Sequence, residues 1–141
     1  MRDGRVIEQD LAARIAACGE AQLPLLPDGT HFGFAEFSRR AGDYAQAMAL
    51  AVLHLEGQVI AAARIGLGGV EAVPRRVAAA EAVLEGEAPG SEVFELAAAA
   101  AAAAIEPLQD AQTDAQYRRE LTYAMVYRAL MRACSPSGAQ G

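Results

Sequence analysis

The chain has 141 residues, enough for one domain, with a formal charge of −6 and no run of Lys or Arg longer than a pair. An acidic protein repels nucleic-acid phosphates, and no stretch approaches the roughly 20 apolar residues that span a bilayer, so the sequence disfavours nucleic-acid and membrane partners. Hydrophobic residues make up 53% of the chain, but much of that is alanine and Trp is absent, which predicts a core of small side chains.

The N-terminal 21 residues predict a helical extension. Over residues 6–18, apolar side chains recur at the spacing of one helix face, and Gly19 follows where a helix-ending glycine is common. The apolar positions are Ile7, Leu11, Ile15 and Cys18. Acidic residues stand where a secretory signal would be apolar, so we expect a cytoplasmic protein.

The middle of the chain predicts strands. Three of the four phenylalanines fall within residues 32–37, which we interpret as an anchor to the core and a possible third strand. Periodicity does not separate helix from strand in Tyr44–Leu55 and Val59–Ile65, which are apolar nearly throughout. A turn signal at Glu56-Gly57 and the helix-breaking Gly66-Leu-Gly-Gly69 favour two antiparallel strands.

Three helices are predicted in the second half. Pro74 opens the first as its first residue and Gly86 closes it, with a buried stripe of Val77, Ala80 and Leu84. Ser91 caps the second, which contains eight consecutive alanines, Ala97–Ala104, and stops at Pro107.

A capping box over Thr113–Gln116 begins the last helix. One face of this helix carries Tyr117, Leu121, Met125 and Arg128, with Val126 and Leu130 adjoining. Strands followed by helices, without βαβ alternation, predict an α+β fold in which a small antiparallel sheet packs against three helices, plus the N-terminal helix.

Most candidate chemistry has a plain structural explanation. Gly66-x-Gly68-Gly69 follows a strand, but its dinucleotide-binding pattern is incomplete, and a glycine where a helix crosses closely explains it better. His31 and His54 have no partner at metal-ligand spacing. Cys18 and Cys134 form no C-x-x-C motif, which predicts two free, mostly buried thiols. The paired carboxylates Glu85 and Glu87, and Glu92 and Glu95, are interpreted as solvated helix ends.

Two arginine pairs carry the remaining candidates. Arg39-Arg40-Ala-Gly-Asp43-Tyr44 combines cations, a carboxylate and an aromatic within six residues. By composition it is either a salt-bridged turn, with Asp43 paired to Arg40, or a ligand-binding loop. Arg118-Arg119 in the last helix is expected to pair with Glu120 or with a neighbouring helix.

Several motifs in the same order resemble one family. They are LPLLPDGTHFGFAEFSRRAGDYA at residues 23–45, ARIGLGGVEAVPRRVAAAE at 63–81, an alanine-rich helix, and YRRELTYAMVYRAL at 117–130. Over about residues 22–133 the chain is similar to the C-terminal domain of the FAD-binding medium subunit of carbon monoxide dehydrogenase and related molybdenum hydroxylases, among them the xanthine dehydrogenases.

The resemblance implies an α+β sandwich and a role in electron transfer. In such enzymes, electrons pass from a molybdopterin centre in the large subunit, through two 2Fe–2S clusters in the small subunit, to FAD in the medium subunit. Tyr44 matches the position that packs against the flavin ring, and Asp43, Arg40 and Arg39 match the charged part of the same loop. Gly68 and Gly69 match a glycine pair that we interpret as packing, and Tyr117-Arg118-Arg119 matches a structural helix motif.

Family medium subunits carry two further flavin-binding portions ahead of this domain, with glycine-rich loops for the pyrophosphate. We find neither, so we expect no tight FAD binding by this chain alone. The sequence therefore predicts part of an electron-transfer subunit, with large and small hydroxylase subunits and a separate FAD-binding chain as candidate partners. The alternative is a docking module that binds no flavin by itself. The predicted organisation is an extension (1–21), the domain (22–133) and a flexible tail (134–141).

Overall fold

The computed structural model describes residues 29–38, 46–107 and 114–134. The predicted helix over residues 6–18 and the loop residues Arg39, Arg40, Asp43 and Tyr44 lie outside these ranges. Of the predicted tail, only Cys134 is described, as the last residue of a helix. Within the described residues, no helix is both long enough and apolar enough to cross a membrane.

A four-stranded antiparallel sheet forms one layer of the domain. Its strands are β1 (Thr30–Phe37), β2 (Ala47–Glu56), β3 (Val59–Gly68) and the short β4 (Arg75–Arg76), and they lie side by side in that order. A two-residue connection, Gly57-Gln58, joins β2 to β3, with Gly57 at a φ of 65°. The predicted hairpin and the strand over residues 32–37 are therefore confirmed.

Three helices form the second layer: α1 (Ala78–Leu84), α2 (Ser91–Ala104) and α3 (Ala115–Cys134). Helix α3 packs on β1 and β2, α1 packs on β3, and α2 contacts both other helices. This arrangement confirms the predicted α+β fold of a small antiparallel sheet against three helices.

The core between the layers is built from small side chains, as the composition predicts. The buried side chains of β2 are Ala47, Ala49, Ala51 and Leu53, and α2 buries Val93, Phe94, Ala97, Ala98 and Ala101. Gly33 allows a close approach of the two layers, because a Cβ there would overlap the Ala129 carbonyl and the Ala133 nitrogen of α3. Small residues on both surfaces thus bring helix and sheet into backbone contact.

The opposite face of the sheet carries a second group of apolar side chains, on β1 and β2, although Glu36 and Arg64 share this face by their register. The side chains of Phe32 and Phe34 point there and are 39% and 43% exposed. By the alternation of side chains along the paired strands, Met48, Leu50 and Val52 share this face. We call these five residues the outer face; all three helices lie on the other side of the sheet.

Two predicted helix starts are wrong. Pro74 does not open a helix, because Arg75 and Arg76 pair with β3 and Val77 donates its N–H to the Ile65 carbonyl at 2.9 Å. Helix α1 therefore begins only at Ala78, although Val77, Ala80 and Leu84 are buried as predicted. Ser91 is the first residue of α2 rather than its cap, and no side chain caps that helix start.

Asp114 caps the start of the last helix, because its Oδ1 accepts the Tyr117 N–H at 2.7 Å. The buried face includes Leu121, Met125, Val126 and Leu130, whereas Arg128 is exposed. Cys134 is a free thiol, but an exposed one rather than a buried one, since it lies at the outer end of the helix.

Candidate functional site

The structure describes the base of the candidate loop. Phe37 ends β1, Gln46 precedes β2, and the Gln46 N–H donates to the Phe37 carbonyl at 2.8 Å. This bond closes the connection that carries Arg39, Arg40, Asp43 and Tyr44. The four residues themselves lie outside the described ranges, so their role stays a prediction.

A buried arginine lies under this loop base. Arg118 on α3 is 6% exposed, and its Nη1 donates to the Gln46 carbonyl at 3.3 Å and to the Gly69 carbonyl at 2.8 Å. Because Gln46 leads into β2 and Gly69 follows β3, one side chain joins the helix layer to two points on the sheet. These two contacts of Arg118 are with the sheet side of the domain, whereas the sequence predicts pairing with Glu120 or with a neighbouring helix.

Arg119 behaves as the sequence predicts for this pair, because it contacts a neighbouring helix. Its Nη1 donates to the carbonyls of Ala102 and Ala103 at 2.6 and 3.4 Å. Arg75 donates to the Ala104 carbonyl at 3.3 Å, so two cations lie at the end of α2, where the helix dipole favours positive charge. A shallow open depression beside Arg119 has alanines and Tyr123 in its walls, and the cation there already binds α2.

Within the Gly66-Leu-Gly-Gly69 segment, Gly68 lies against the neighbouring strand. A Cβ at Gly68 would lie 2.9 Å from the Met48 side chain on the neighbouring strand, and Gly69 has a φ of 81°. The predicted close approach of a helix is therefore wrong for this segment, because the neighbour of Gly68 is the side chain of a strand residue. The glycine at which a helix crosses is Gly33, which the sequence analysis missed.

The other polar candidates occupy structural positions. Among the described residues, no group of three or more His, Cys, Asp or Glu side chains could hold a metal ion. His54 Nε2 lies 3.9 Å from Glu56 Oε1. Of the paired carboxylates, Glu87, Glu92 and Glu95 are exposed. The Glu85 carboxylate is also exposed, but it accepts the Ala63 N–H at 3.3 Å.

The three described helices carry carboxylates at their N-terminal ends. Glu81 lies in the first turn of α1, Glu92 lies in that of α2, and Asp114 caps α3. A helix N-terminus binds phosphate when its N–H groups and positive dipole face the anion, and carboxylates occupy or repel that position. The Glu81 carboxylate is already bound by Arg76, but the starts of α2 and α3 do not fit the diphosphate of a dinucleotide cofactor.

Sequence patterns missed two features, Arg118 and the outer face. The sequence marks Arg118 only as half of an arginine pair. Its hydrogen-bond acceptors are backbone carbonyls 72 and 49 positions away, which no pattern of side chains indicates. The outer face could have been found from its residues, because β2 reads as a continuous apolar run. Such runs are typical of strands that are covered on both faces.

The comparisons with known proteins agree with this architecture. The family model of the CO dehydrogenase flavoprotein C-terminal domain matches residues 32–133. The chain is 34% identical over 111 residues to the nicotine 6-hydroxylase medium subunit of Paenarthrobacter nicotinovorans, covering 79% of this chain and 38% of that protein. It is also 34% identical over 112 residues to the carbon monoxide dehydrogenase medium chain of Afipia carboxidovorans, covering 79% and 39%.

Solved structures give the same result. Carbon monoxide dehydrogenase from Hydrogenophaga pseudoflava matches with a TM-score of 0.74 and 36% identity, over 79% of this chain and 39% of that one. Quinoline 2-oxidoreductase from Pseudomonas putida 86 matches with a TM-score of 0.72 and 33% identity, over the same shares. The chain spans about two-fifths of the length of the relatives it matches. Its sequence and its fold place the chain in the CO dehydrogenase flavoprotein C-terminal domain family.

Proposed function

We propose that this chain is the flavin-contacting part of the medium subunit of a molybdenum hydroxylase, where it takes part in electron transfer. The observation that carries the proposal is the loop base: the Phe37–Gln46 bond and Arg118 hold both ends of the connection containing Arg39, Arg40, Asp43 and Tyr44. In a domain of this family, a loop whose base is fixed can present its aromatic and charged side chains to a flavin ring.

The chemistry of each loop residue suits a flavin neighbour. The Tyr44 ring offers an apolar surface to the isoalloxazine, and the charges of Asp43, Arg40 and Arg39 alter the relative stability of oxidised and reduced flavin. FAD, when bound, supplies the acceptor that takes electrons from the other redox centres of such an enzyme. The chain's own contribution is to orient these side chains and to shape the field around the ring.

The fit to FAD is partial. The carboxylates at the N-terminal ends of α2 and α3 disfavour a diphosphate there, so the proposal is limited to the ring end of the cofactor. We therefore propose that a separate polypeptide portion holds the diphosphate and the adenosine, and that the chain alone binds FAD weakly.

The partners follow from the same proposal. A molybdopterin large subunit and a 2Fe–2S small subunit would assemble with the flavin-carrying part. The outer face supports subunit contact, because Phe32 and Phe34 are exposed beside three further apolar side chains on a face that the three helices leave uncovered. The boundaries at residues 1–21, 22–133 and 134–141 stay predictions.

The proposal is tested on the complex purified from its host. We expect flavin absorbance together with large and small hydroxylase subunits and a nucleotide-binding polypeptide. In that complex, Asp43→Asn and Tyr44→Leu should each shift the flavin reduction potential. Gln58→Ala, in the exposed turn at the other end of the sheet, should leave it unchanged. If the complex contains flavin and its reduction potential is the same in both loop variants as in the parent, the proposed role of the loop is refuted.

A second candidate is a docking module that binds partner subunits without flavin. The outer face favours it independently of the loop, since an apolar sheet face can bind a partner whether or not a cofactor is present. Purification of hydroxylase subunits with this chain but with no flavin and no nucleotide-binding polypeptide would select this function. Stoichiometric flavin on the isolated 141-residue chain would contradict both the weak-binding expectation and the docking module.

A further inference from the structure

The outer face is uneven, with a ridge along β1 and lower side chains on β2. Phe32 and Phe34 stand on the edge strand and are 39% and 43% exposed, whereas Met48, Leu50 and Val52 on β2 are half-buried. The two phenylalanines are the cross-strand partners of Val52 and Leu50. The face is therefore highest along the β1 edge of the sheet.

The same side of the sheet has a hollow over β3. Gly66 is the cross-strand partner of Leu50, so it lies two strands away from Phe34 and level with it. A Cβ added at Gly66 would meet no atom of the described residues within 4 Å beyond its chain neighbours, which leaves open space above its backbone. Gly68 differs, because a Cβ there would come within 2.9 Å of the Met48 side chain. The hollow thus lies over Gly66, on the far side of β2 from the ridge.

A ridge and a hollow at the same level, one strand to either side of β2, make this face complementary to itself. Turning a second copy by 180° about an axis along β2 exchanges β1 with β3 and keeps each set of cross-strand partners at its level. Phe34 of each copy then lies opposite Gly66 of the other, and Leu50 lies opposite Leu50. Sheets that pack face to face stand about 10 Å apart, so a phenylalanine fills the space that glycine leaves. Closed dimers use such contacts, in which one patch meets itself.

An axis across the strands fits less well. It would place phenylalanines opposite phenylalanines and the Gly66 hollow opposite an equal hollow, and the resulting void would forfeit packing contacts. Charge also agrees with the axis along β2. By the strand register, Glu36 then comes opposite Gly68, and Arg64 comes opposite Phe32. Neither charged side chain lies opposite one of like sign.

We propose that the outer face is a contact between two copies of this chain, with Phe34 of each copy seated over Gly66 of the other. The inference goes beyond the function proposed above and does not rest on it. A hydroxylase subunit that bound the outer face would compete with the second copy, so the two assemblies exclude each other on this face.

The size of the face sets the strength of the dimer. Three strands about 4.8 Å apart and about seven residues long cover roughly 350 Å². Two such faces bury on the order of 1,000 Å² of accessible surface or less, which is below the size of permanent interfaces. The dimer is therefore reversible, with a dissociation constant in the micromolar range or weaker. Each copy has a formal charge of −6 and repels the other, so added salt should strengthen the dimer.

Sedimentation equilibrium of the full 141-residue chain over a concentration series tests the proposal, with a reductant present so that no disulfide forms. We expect a reversible equilibrium between monomer and dimer. Phe34→Ala should weaken the dimer by about tenfold or more, because the ridge is lost from both halves of the contact. Leu96→Ala is the control, since Leu96 is 63% exposed on α2 in the other layer, and it should leave the equilibrium unchanged.

Gly66→Leu separates a specific contact from general apolar adhesion. It adds apolar surface to the face, so adhesion alone would strengthen the association, whereas filling the hollow that receives Phe34 should weaken it by about tenfold or more. Because the Cβ has room in the monomer, the variant should fold, which circular dichroism and urea unfolding check. The double variant Phe34→Ala, Gly66→Leu exchanges ridge and hollow and should recover much of the association that either single variant loses.

A chain that stays monomeric over the whole concentration series overturns the proposal. Tighter association of Gly66→Leu than of the parent also overturns it, as does a double variant that associates no better than the single variants. A dimer that added salt weakens would be held by charged contacts elsewhere and would count against the outer face. If the parent is monomeric and Phe34→Ala removes hydroxylase subunits from the complex purified from its host, the face binds a partner subunit instead of a second copy. Gly66→Leu gives a result by itself if Phe34→Ala does not fold.

Discussion

The carboxylate of Glu81 on α1 accepts the backbone N–H of Ile65 on β3 at 2.9 Å. Glu81 is only 3% exposed, and Arg76 donates to it from Nε at 2.7 Å and from Nη2 at 2.7 Å. One helical turn later, Glu85 accepts the Ala63 N–H at 3.3 Å. The side chains of Glu81 and of Glu85, which follows α1, thus accept N–H groups of β3 where the two-residue strand β4 does not pair with it.

Replacing Glu81 with alanine should destabilise the domain by about 2–3 kcal/mol, because it leaves the buried Ile65 N–H without an acceptor and removes the anion bound by Arg76. Glu81→Gln should lose less, since its amide oxygen can still accept the N–H. Urea unfolding monitored by circular dichroism measures both. Glu85→Ala is the control, expected to lose less than about 1 kcal/mol because the Glu85 side chain is 43% exposed and its ion pair with Arg64 is solvated. Equal losses at the two positions would contradict this account.

Gly33 and Gly66 should respond to alanine with opposite signs. A Cβ at Gly33 would overlap the backbone of α3, so Gly33→Ala should destabilise by about 1–3 kcal/mol or more, as overpacking does. A Cβ at Gly66 meets nothing within 4 Å, so Gly66→Ala should be neutral or stabilise by up to about 1 kcal/mol by restricting the unfolded chain. Thermal and urea unfolding of both variants test the pair, and a tolerated Gly33→Ala would disprove the close approach of α3.

Much of the architecture was predictable because local signals agreed with the tertiary structure. The turn at Gly57, the alanine-rich helix and the glycine at Gly86 each mark an element boundary by backbone preference alone. The prediction that a helix starts at Pro74 is wrong, although a proline before a buried stripe is typical of a helix start. The pairing of Arg75 and Arg76 with β3 is a long-range contact that local preference does not contain.

The site was less predictable for a related reason. Tyr44 and Asp43 could be selected only by resemblance to a family, and their contacts stay predictions. Arg118 and Gly33 act on backbone atoms of distant segments, and a main-chain carbonyl carries no residue identity for a sequence pattern to detect. Features of this kind become visible only once the chain is folded.

The helix caps offer a direct comparison of a sequence prediction with the structure. Asp114 Oδ1 accepts the Tyr117 N–H at 2.7 Å, so Asp114→Ala should destabilise by about 0.5–2 kcal/mol. Ser91, the cap predicted from the sequence, is the first residue of α2 and makes no capping bond, so Ser91→Ala should change stability by less than about 0.5 kcal/mol. Asp114→Asn is the control, because its amide oxygen can still cap. A larger loss at Ser91 than at Asp114 would reverse the assignment.

Burial of the sulfur raises the pKa of the Cys134 thiol, although the residue as a whole is exposed at the end of α3. Because the thiolate is the reactive form, alkylation of folded Cys18→Ser protein by iodoacetamide should reach half its maximal rate at a higher pH than in the urea-unfolded chain. A raised folded pKa means that the unfolded chain loses this proton first. The free energy of unfolding should therefore fall as the pH rises through the unfolded pKa of the thiol.

Cys134→Ser removes the titrating group and serves as the control for that stability change. The difference between the unfolding free energies of Cys18→Ser and the Cys18→Ser, Cys134→Ser double variant should be constant at neutral pH and should change only in the alkaline range. The direction is fixed by the desolvated thiolate, which the folded protein disfavours and the unfolded chain does not. Superimposable alkylation profiles for folded and unfolded protein would show that the end of α3 leaves the sulfur fully solvated.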